Sequence, residues 1–303
     1  MVGGIKMSNK IKVGTSGKIF DRLNELVLLI AIILTVYPMI YILLSSISNG
    51  NELMKHSGIL LMPQGKATLA AYKTVLGSKT IIGGFGMSFF MVTVGTTISI
   101  ILTSCAAYFL SRKNVMLVTP IMMLIVITMF FKGGIVPEFL IYKQLGFVNS
   151  IWAPIIPFCV NTFNLIILRT AFYAIPPSLE ESAKIDGAGH MTILFRVMLP
   201  LLKPTLAVLV LYYAVFYWNS WFWPSLLIRD KALYPLQVVL RDILILADSS
   251  LLEGGGINSD TDVAIGETVK YASIIVATLP ILVVYPYLQK HFVKGVMVGA
   301  VKG

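Results

Sequence analysis

The sequence predicts an all-α membrane protein with six transmembrane helices, and three observations predict it. Of the 303 residues, 57% are hydrophobic and only 13% charged. The mean hydropathy of +0.85 lies far above that of a soluble domain. Six stretches of eighteen residues or more contain no Asp, Glu, Lys or Arg, at 26–51, 80–111, 114–131, 144–168, 204–228 and 271–289. A helix crossing the hydrocarbon needs roughly 20 predominantly apolar residues, so each run suffices, or nearly so, for one pass.

Residues 1–22 read as a polar, basic N-terminal tail ahead of a transmembrane domain over 23–303. The first apolar run is longer than a signal-peptide core, and no small-residue cleavage site follows it, so it reads as a retained span. The stretch 47–79, with Pro63 and Gly65, reads as a surface segment before the second span. The 80–111 run exceeds the need of one span, and Gly83-Gly84-Phe85-Gly86 at its start reads as a turn outside the hydrocarbon. Arg112 and Lys113 form a short basic turn, and a polar elbow at about 175–204 separates the fourth and fifth runs. A large loop at about 229–270 holds Asp248, Glu253, Gly254-Gly255-Gly256, Asp260 and Asp262. Asp260-x-Asp262 lacks the EF-hand spacing, so no metal is expected there. That loop reads as a docking surface or a flexible connection.

Lys and Arg in short loops are retained on the cytoplasmic side. With six spans both termini share a side, and that side collects 14 of the 24 Lys and Arg residues, the Arg112-Lys113 turn included. Both termini and the elbow are therefore expected in the cytoplasm. The net charge of +10 then reflects topology and contact with anionic lipid, with no role for nucleic acid.

None of the six runs contains Asp, Glu, Lys, Arg or His. Proton relays, ion paths and intramembrane proteases need such groups at depth, which argues against a secondary carrier and against catalysis in the membrane. Cys105 and Cys159 lie inside runs and read as packing residues, since their spacing fits no disulfide or metal pattern. The nucleotide-cradling G-x-x-x-x-G-K-[ST] pattern is missing too: Gly14-Thr15-Ser16-Gly17-Lys18-Ile19 has the wrong spacing. No catalytic residue is expected on this chain. Energy for transport must come from a partner, and the elbow is where a partner would grip.

Within the elbow, Pro176 and Pro177 stop backward extension of a short helix, and Ser178-x-x-Glu181 has the spacing of a capping box. Glu180 and Glu181 suit the positive end of the helix dipole, and Lys184 pairs with Glu180 one turn on. Gly187 and Gly189 permit a turn. Ile193, Leu194, Val197 and Met198 then form an apolar stripe, with Phe195 beside it, that suits a partner's groove.

Glu181-Ser182-Ala183-x-x-Asp186-Gly187-Ala188, with Val197-x-Leu199-Pro200 following at fixed spacing, resembles the EAA loop of the membrane subunits of binding-protein-dependent ABC importers. Ser182 for the usual Ala is the single, small-for-small departure. Gly133-Gly134, Leu145-Gly146-Phe147-Val148-Asn149, Trp218-Asn219-Ser220, Tyr234-Pro235-Leu236-Gln237 and the ending Gly295 to Gly303 resemble the carbohydrate-importer branch. Within it the chain is similar to the LplC/YtcP-type permeases of Gram-positive bacteria, relatives of the maltose-type permeases. The resemblance covers residue 80 to the C-terminus. It implies a type I ABC importer permease fold with a cytoplasmic EAA coupling loop. It also implies a homologous second permease subunit, two ATPase subunits beneath, and an extracellular lipid-anchored solute-binding protein that delivers a carbohydrate. ATP and Mg would be bound by the partner ATPases, with no cofactor on this chain. The expected ATPase-coupling residues are Glu180, Glu181, Ser182, Ala183, Asp186, Gly187, Ala188, Phe195, Leu199 and Pro200. An ABC importer permease for a non-sugar solute is the nearest alternative, and a secondary carrier the more distant one.

For the substrate path, aromatic faces suit sugar rings and amides suit hydroxyls. Asn161 and Asn164 in the fourth run, and Trp218, Asn219, Trp221 and Trp223 in the fifth, are the candidates. The competing reading is structural: Trp gathers at membrane interfaces and Asn bonds helices together.

Overall fold

A computed structural model describes residues 15–112, 115–131, 133–253 and 266–283. Among the described residues every regular element is helical. In chain order they are α1 (Thr15–Ser46), α2 (Gly50–Lys55), α3 (Ala70–Gly77) and α4 (Lys79–Leu110). Then follow α5 (Val118–Phe130), α6 (Ile135–Gln144), α7 (Thr162–Tyr173), α8 (Pro177–Ile185) and α9 (His190–Leu201). The last are α10 (Lys203–Trp218), α11 (Phe222–Leu227), α12 (Leu236–Glu253) and α13 (Gly266–Val283).

Three of these, α1, α4 and α13, are long and apolar enough to cross a membrane, and α9 with α10, bent by 91°, make a fourth if taken as one span. The six apolar runs are thus not six unbroken helices. The 114–131 run yields the 13-residue α5. The 144–168 run is broken: it passes through turns and a 3-10 turn at Ile156–Phe158 before α7 starts at Thr162. Pro154 and Pro157 lack the amide hydrogen a continuous helix needs there. The 204–228 run divides at Asn219 and Ser220 into α10 and α11.

Two more expectations are corrected. Gly83 to Gly86 lie inside α4 and form no turn. Gly84 packs against α12 so closely that a Cβ would stand 3.1 Å from the Leu236 Cα, and a helix with glycine there admits its neighbour. The 229–270 segment is no simple loop, since α12 fills 236–253. Its Leu236, Val239 and Leu240 recur at helical spacing and are buried, and the Leu236 amide donates to the Ser88 hydroxyl of α4 at 2.9 Å. The acids and glycines at 254–262, and the C-terminal motif from Gly295, lie outside the described residues, as does the tail up to residue 14.

Three apolar clusters stack along α4 and α10. At the elbow end Ala107, Tyr108 and Leu110 of α4 meet Leu165, Leu168 and Phe172 of α7, Ile193 and Leu194 of α9, and Leu209 of α10. In the middle Met87 and Met91 meet Ile155, Tyr213 and Tyr217. At the far end Ile81 and Trp218 meet Val75, Leu236, Val239 and Ala272. The middle layer carries a polar ladder between α4 and α10. Tyr217 and Ser99 hydroxyls lie 3.0 Å apart, Tyr213 and Thr103 hydroxyls 2.7 Å, and the Tyr213 hydroxyl accepts from the Asn161 amide at 3.1 Å. A π-helical turn at Met91–Gly95 leads into this contact, and Gly95 makes it possible: a Cβ there would fall 2.7 Å from the Tyr217 ring.

By contrast, α1 packs little of its length. The most apolar window of that helix has none of its residues buried, so its side chains are left for lipid or for another subunit. Its later part is tied to the body by the Tyr37 hydroxyl, which accepts from the Leu60 amide at 2.9 Å, and by Ser46, whose hydroxyl lies 2.7 Å from that of Tyr72.

Candidate functional site

The elbow is α8, a turn and α9, held at the end of α4. Pro177 occupies the first turn of α8 and Pro176 bounds it, with no side-chain cap. The expected capping box is therefore not formed: proline's preset φ starts the helix one residue too early and places Ser178 inside the first turn. At the other end the helix closes in a Schellman turn, with the Ala188 amide bonding the Ala183 carbonyl at 2.9 Å and the Gly187 amide the Lys184 carbonyl at 3.0 Å. This turn demands a left-handed residue, and Gly187 supplies it at φ +80°. The glycine of the motif is thus the C-terminal cap of its own helix.

Glu180 does not face outward. It is 7% exposed; one carboxylate oxygen lies against Arg112 and the other receives Lys184 Nζ at 3.0 Å. Arg112 also donates to the Tyr108 carbonyl at 3.3 Å and the Ser111 hydroxyl at 2.9 Å, and its guanidinium stands 4.5 Å from the Tyr108 ring centroid. Burial pulls the Arg112 guanidinium below its ordinary value, and the nearby Tyr108 and Tyr173 hydroxyls oppose that shift. With Glu180 against it the group stays charged. His190 completes the clasp, its Nδ1 lying 3.3 Å from the Tyr108 hydroxyl. A cleft of about 560 Å³ opens among Arg112, Phe172, Glu180, Glu181, Lys184 and His190.

Other expected coupling residues divide by exposure. Glu181, Ser182, Asp186, Gly187, Phe195 and Pro200 are exposed, while Ala183, Ala188 and Leu199 are half-buried. The apolar stripe of α9 is corrected: Ile193, Leu194 and Met198 are buried in this chain's own core. Exposed apolar groups of the elbow include Ile185, Met191 and Phe195, and the Glu181 and Asp186 carboxylates are exposed as well.

The substrate-path candidates are scattered. Asn161 is the N-cap of α7, its side-chain Oδ1 accepting from the Asn164 amide at 3.2 Å, and Asn164 is buried. Trp218 is buried against Phe85 and Phe89. Trp223 packs edge-on to Tyr142 and beside Phe158. Only Asn219 and Trp221 come together on one opening, a groove of about 660 Å³ at the far end of α10, with Gln237 and Arg241 of α12 on its rim.

Residues 113–298 match the binding-protein-dependent transport system inner membrane component family. The chain belongs to that family. The protein LplC of Bacillus subtilis is 40% identical over 95% of this chain and 96% of its own length. The polygalacturonan/rhamnogalacturonan transport system permease protein YtcP of the same species is 40% identical over 94% of this chain and 99% of its own. A crystal structure of a bacterial ABC transporter involved in the import of the acidic polysaccharide alginate contains a similar chain. It matches with a TM-score of 0.82 and 32% identity, over 92% of this chain and 98% of that one. This transport permease is a multi-pass protein of the cell membrane and is not itself an enzyme.

In this transport permease one branch-typical residue outside the elbow, Asn149, works as a staple. Asn149, at φ +58°, accepts from the Arg229 and Asp230 amides at 3.0 and 2.8 Å, and its own amide donates to the Leu227 carbonyl at 2.7 Å. Its turn is thereby tied to the segment after α11. Sequence reasoning missed Arg112 as the partner of Glu180, gave Gln237 only as the end of a branch-typical motif, and missed Arg241 altogether. Arg112 was legible only as one half of a basic turn, because pairing across distant segments leaves no local pattern. Arg241 had one signal: with the adjacent Asp242 it interrupts the otherwise uncharged pattern of 236–247.

Proposed function

We propose that this permease subunit crosses the membrane six times with both termini and the elbow in the cytoplasm. It pairs there with a homologous permease to enclose the path of an oligosaccharide or complex glycan. An extracellular lipid-anchored binding protein delivers the cargo, and two ATPase subunits that carry the ATP and Mg grip the elbow. One observation carries the coupling role. The elbow stands at 91° to α10, closed by a Schellman turn, and presents exposed Ile185, Met191 and Phe195 along with exposed Glu181 and Asp186. A monomer gains nothing from exposing that set; a partner's groove would cover it. The cargo class is supported by a relative whose name specifies polygalacturonan and rhamnogalacturonan, and by a structural neighbour whose title specifies alginate.

Purification of the tagged chain from its own membrane in mild detergent, with mass spectrometry of what accompanies it, tests this reading. A second permease, an ATPase and a lipid-anchored binding protein are expected. If the chain came alone through several gentle conditions, the coupling role would have to be abandoned.

A further inference from the structure

The groove at the far end of α10 holds a positive charge that an acidic sugar would match better than a neutral one. Arg241 is exposed on α12, and among the described residues no carboxylate pairs with it. Its guanidinium stands 5.3 Å from the ring centroid of Trp221, which is itself 43% exposed. Asn219 and Gln237 border the same opening, and Leu240, Leu244 and Ile274 make much of the remaining wall. The Asn219 amide nitrogen is engaged with the Val215 carbonyl at 3.0 Å, which leaves its oxygen to accept.

We propose that this groove is a subsite for an acidic sugar residue, a uronate, within the path of a glycan importer. The assignment rests on the function proposed above. Arg241 takes the carboxylate, Trp221 takes the apolar face of the ring, and the Asn219 oxygen and Gln237 amide take hydroxyls. Each part follows from the chemistry of the group. The planar guanidinium fork matches a carboxylate in two parallel bonds. Aromatic faces stack on the C–H face of a pyranose, and amides bond hydroxyls. The volume of about 660 Å³ lies within the range of small-ligand sites. A phosphate would satisfy the arginine alone and leave the Trp221 face and the two amides unused.

The test uses the complete importer in cells that lack the native chain, with initial uptake of radiolabelled galacturonate oligomers and of the same oligomers methyl-esterified. Esterification keeps the rings and removes the charge. Wild type is expected to favour the charged oligomers. Arg241→Gln should lower the charged-to-esterified uptake ratio by about tenfold or more, the scale of a hydrogen bond to a charged group. Arg241→Lys should keep part of the preference, and Trp221→Leu should slow both oligomers alike. An unchanged ratio in Arg241→Gln, or no preference in wild type, overturns the uronate assignment. ATPase co-purification from the same membranes separates the two readings. A wild-type chain that holds its ATPase while the ratio fails sinks the subsite alone, whereas loss of the ATPase from wild type sinks the importer reading.

Discussion

Removing the Glu180 carboxylate should loosen the elbow without touching its outward face. In Glu180→Ala, Arg112 keeps its bonds to the Tyr108 carbonyl and Ser111 hydroxyl but loses its counter-charge. Breaking a buried ion pair by deleting one partner costs about 3–5 kcal/mol. The Arg112 side chain retains 19% exposure and two donor partners, which lowers the expected cost to ~2 kcal/mol. The Lys184 contact, with its lysine half exposed, adds ~0.3–0.5 kcal/mol as a one-turn helical pair. The total, ~2–3 kcal/mol, should appear as a lower melting temperature of the purified permease complex. Replacing both charges with methionine removes the desolvation penalty with the attraction, so Arg112→Met/Glu180→Met should melt close to wild type. The assay is a thermal melt of the detergent-purified complex for the wild type, Arg112→Met, Glu180→Met and the double, as a double-mutant cycle. Uptake should fall in Glu180→Ala because α8 is no longer clasped to the end of α4. A double variant as unstable as the sum of the singles would refute the clasp.

Three further outcomes follow from the same geometry. Gly187→Pro or Gly187→Glu should abolish uptake at a wild-type membrane level, because proline is locked near φ −65° and a side chain at φ +80° costs about 1–2 kcal/mol; normal uptake by these variants would sink the coupling turn. Gly95→Ala should lower thermal stability by about 1–3 kcal/mol, since its Cβ meets the Tyr217 ring, and an unchanged melt would place Tyr217 elsewhere. Glu181→Ala and Asp186→Ala should shift stability by no more than ~0.5 kcal/mol yet weaken ATPase co-purification, and undiminished co-purification would remove both carboxylates from the docking face.

The sequence disclosed what is local and periodic. Helical class, the elbow and the turn at Gly187 were each written in contiguous residues. It misled where tertiary contact decides. The Ile193, Leu194 and Met198 stripe was legible as apolar, yet its direction was not: a stripe fits its own core and a partner's groove equally well until neighbours are placed. Gly83 to Gly86 looked like a turn because glycine disfavours isolated helices, but α12 packs closely at Gly84 and repays that cost. Charge-free length alone could not foresee that 144–168 breaks, although Pro154 and Pro157 announced it. Glu180 shows the same limit at the site. Its place beside Glu181 in the motif suggested a shared task, and the side chain instead turns inward to Arg112.

α10 joins the two ends of the site. Its first turn meets the elbow at the 91° bend, and Asn219, just past its last turn, lies on the groove with Trp221 and Arg241. A helix between two sites transmits movement only if it cannot slide against its neighbours. Apolar packing alone resists sliding weakly, because one methyl contact replaces another. The Ser99–Tyr217 and Thr103–Tyr213 pairs are directional, and in an apolar interior a slip of one residue would break both and leave the Ser99 and Thr103 hydroxyls unsatisfied. Gly95 against the Tyr217 ring fixes the same register by shape. On the proposed reading, α4 and α10 therefore move as one body, and a push on the elbow reaches the groove as rotation of that body rather than being absorbed within it. The polar ladder, which no transport chemistry requires, is then what makes ATP hydrolysis at one end felt by a sugar at the other.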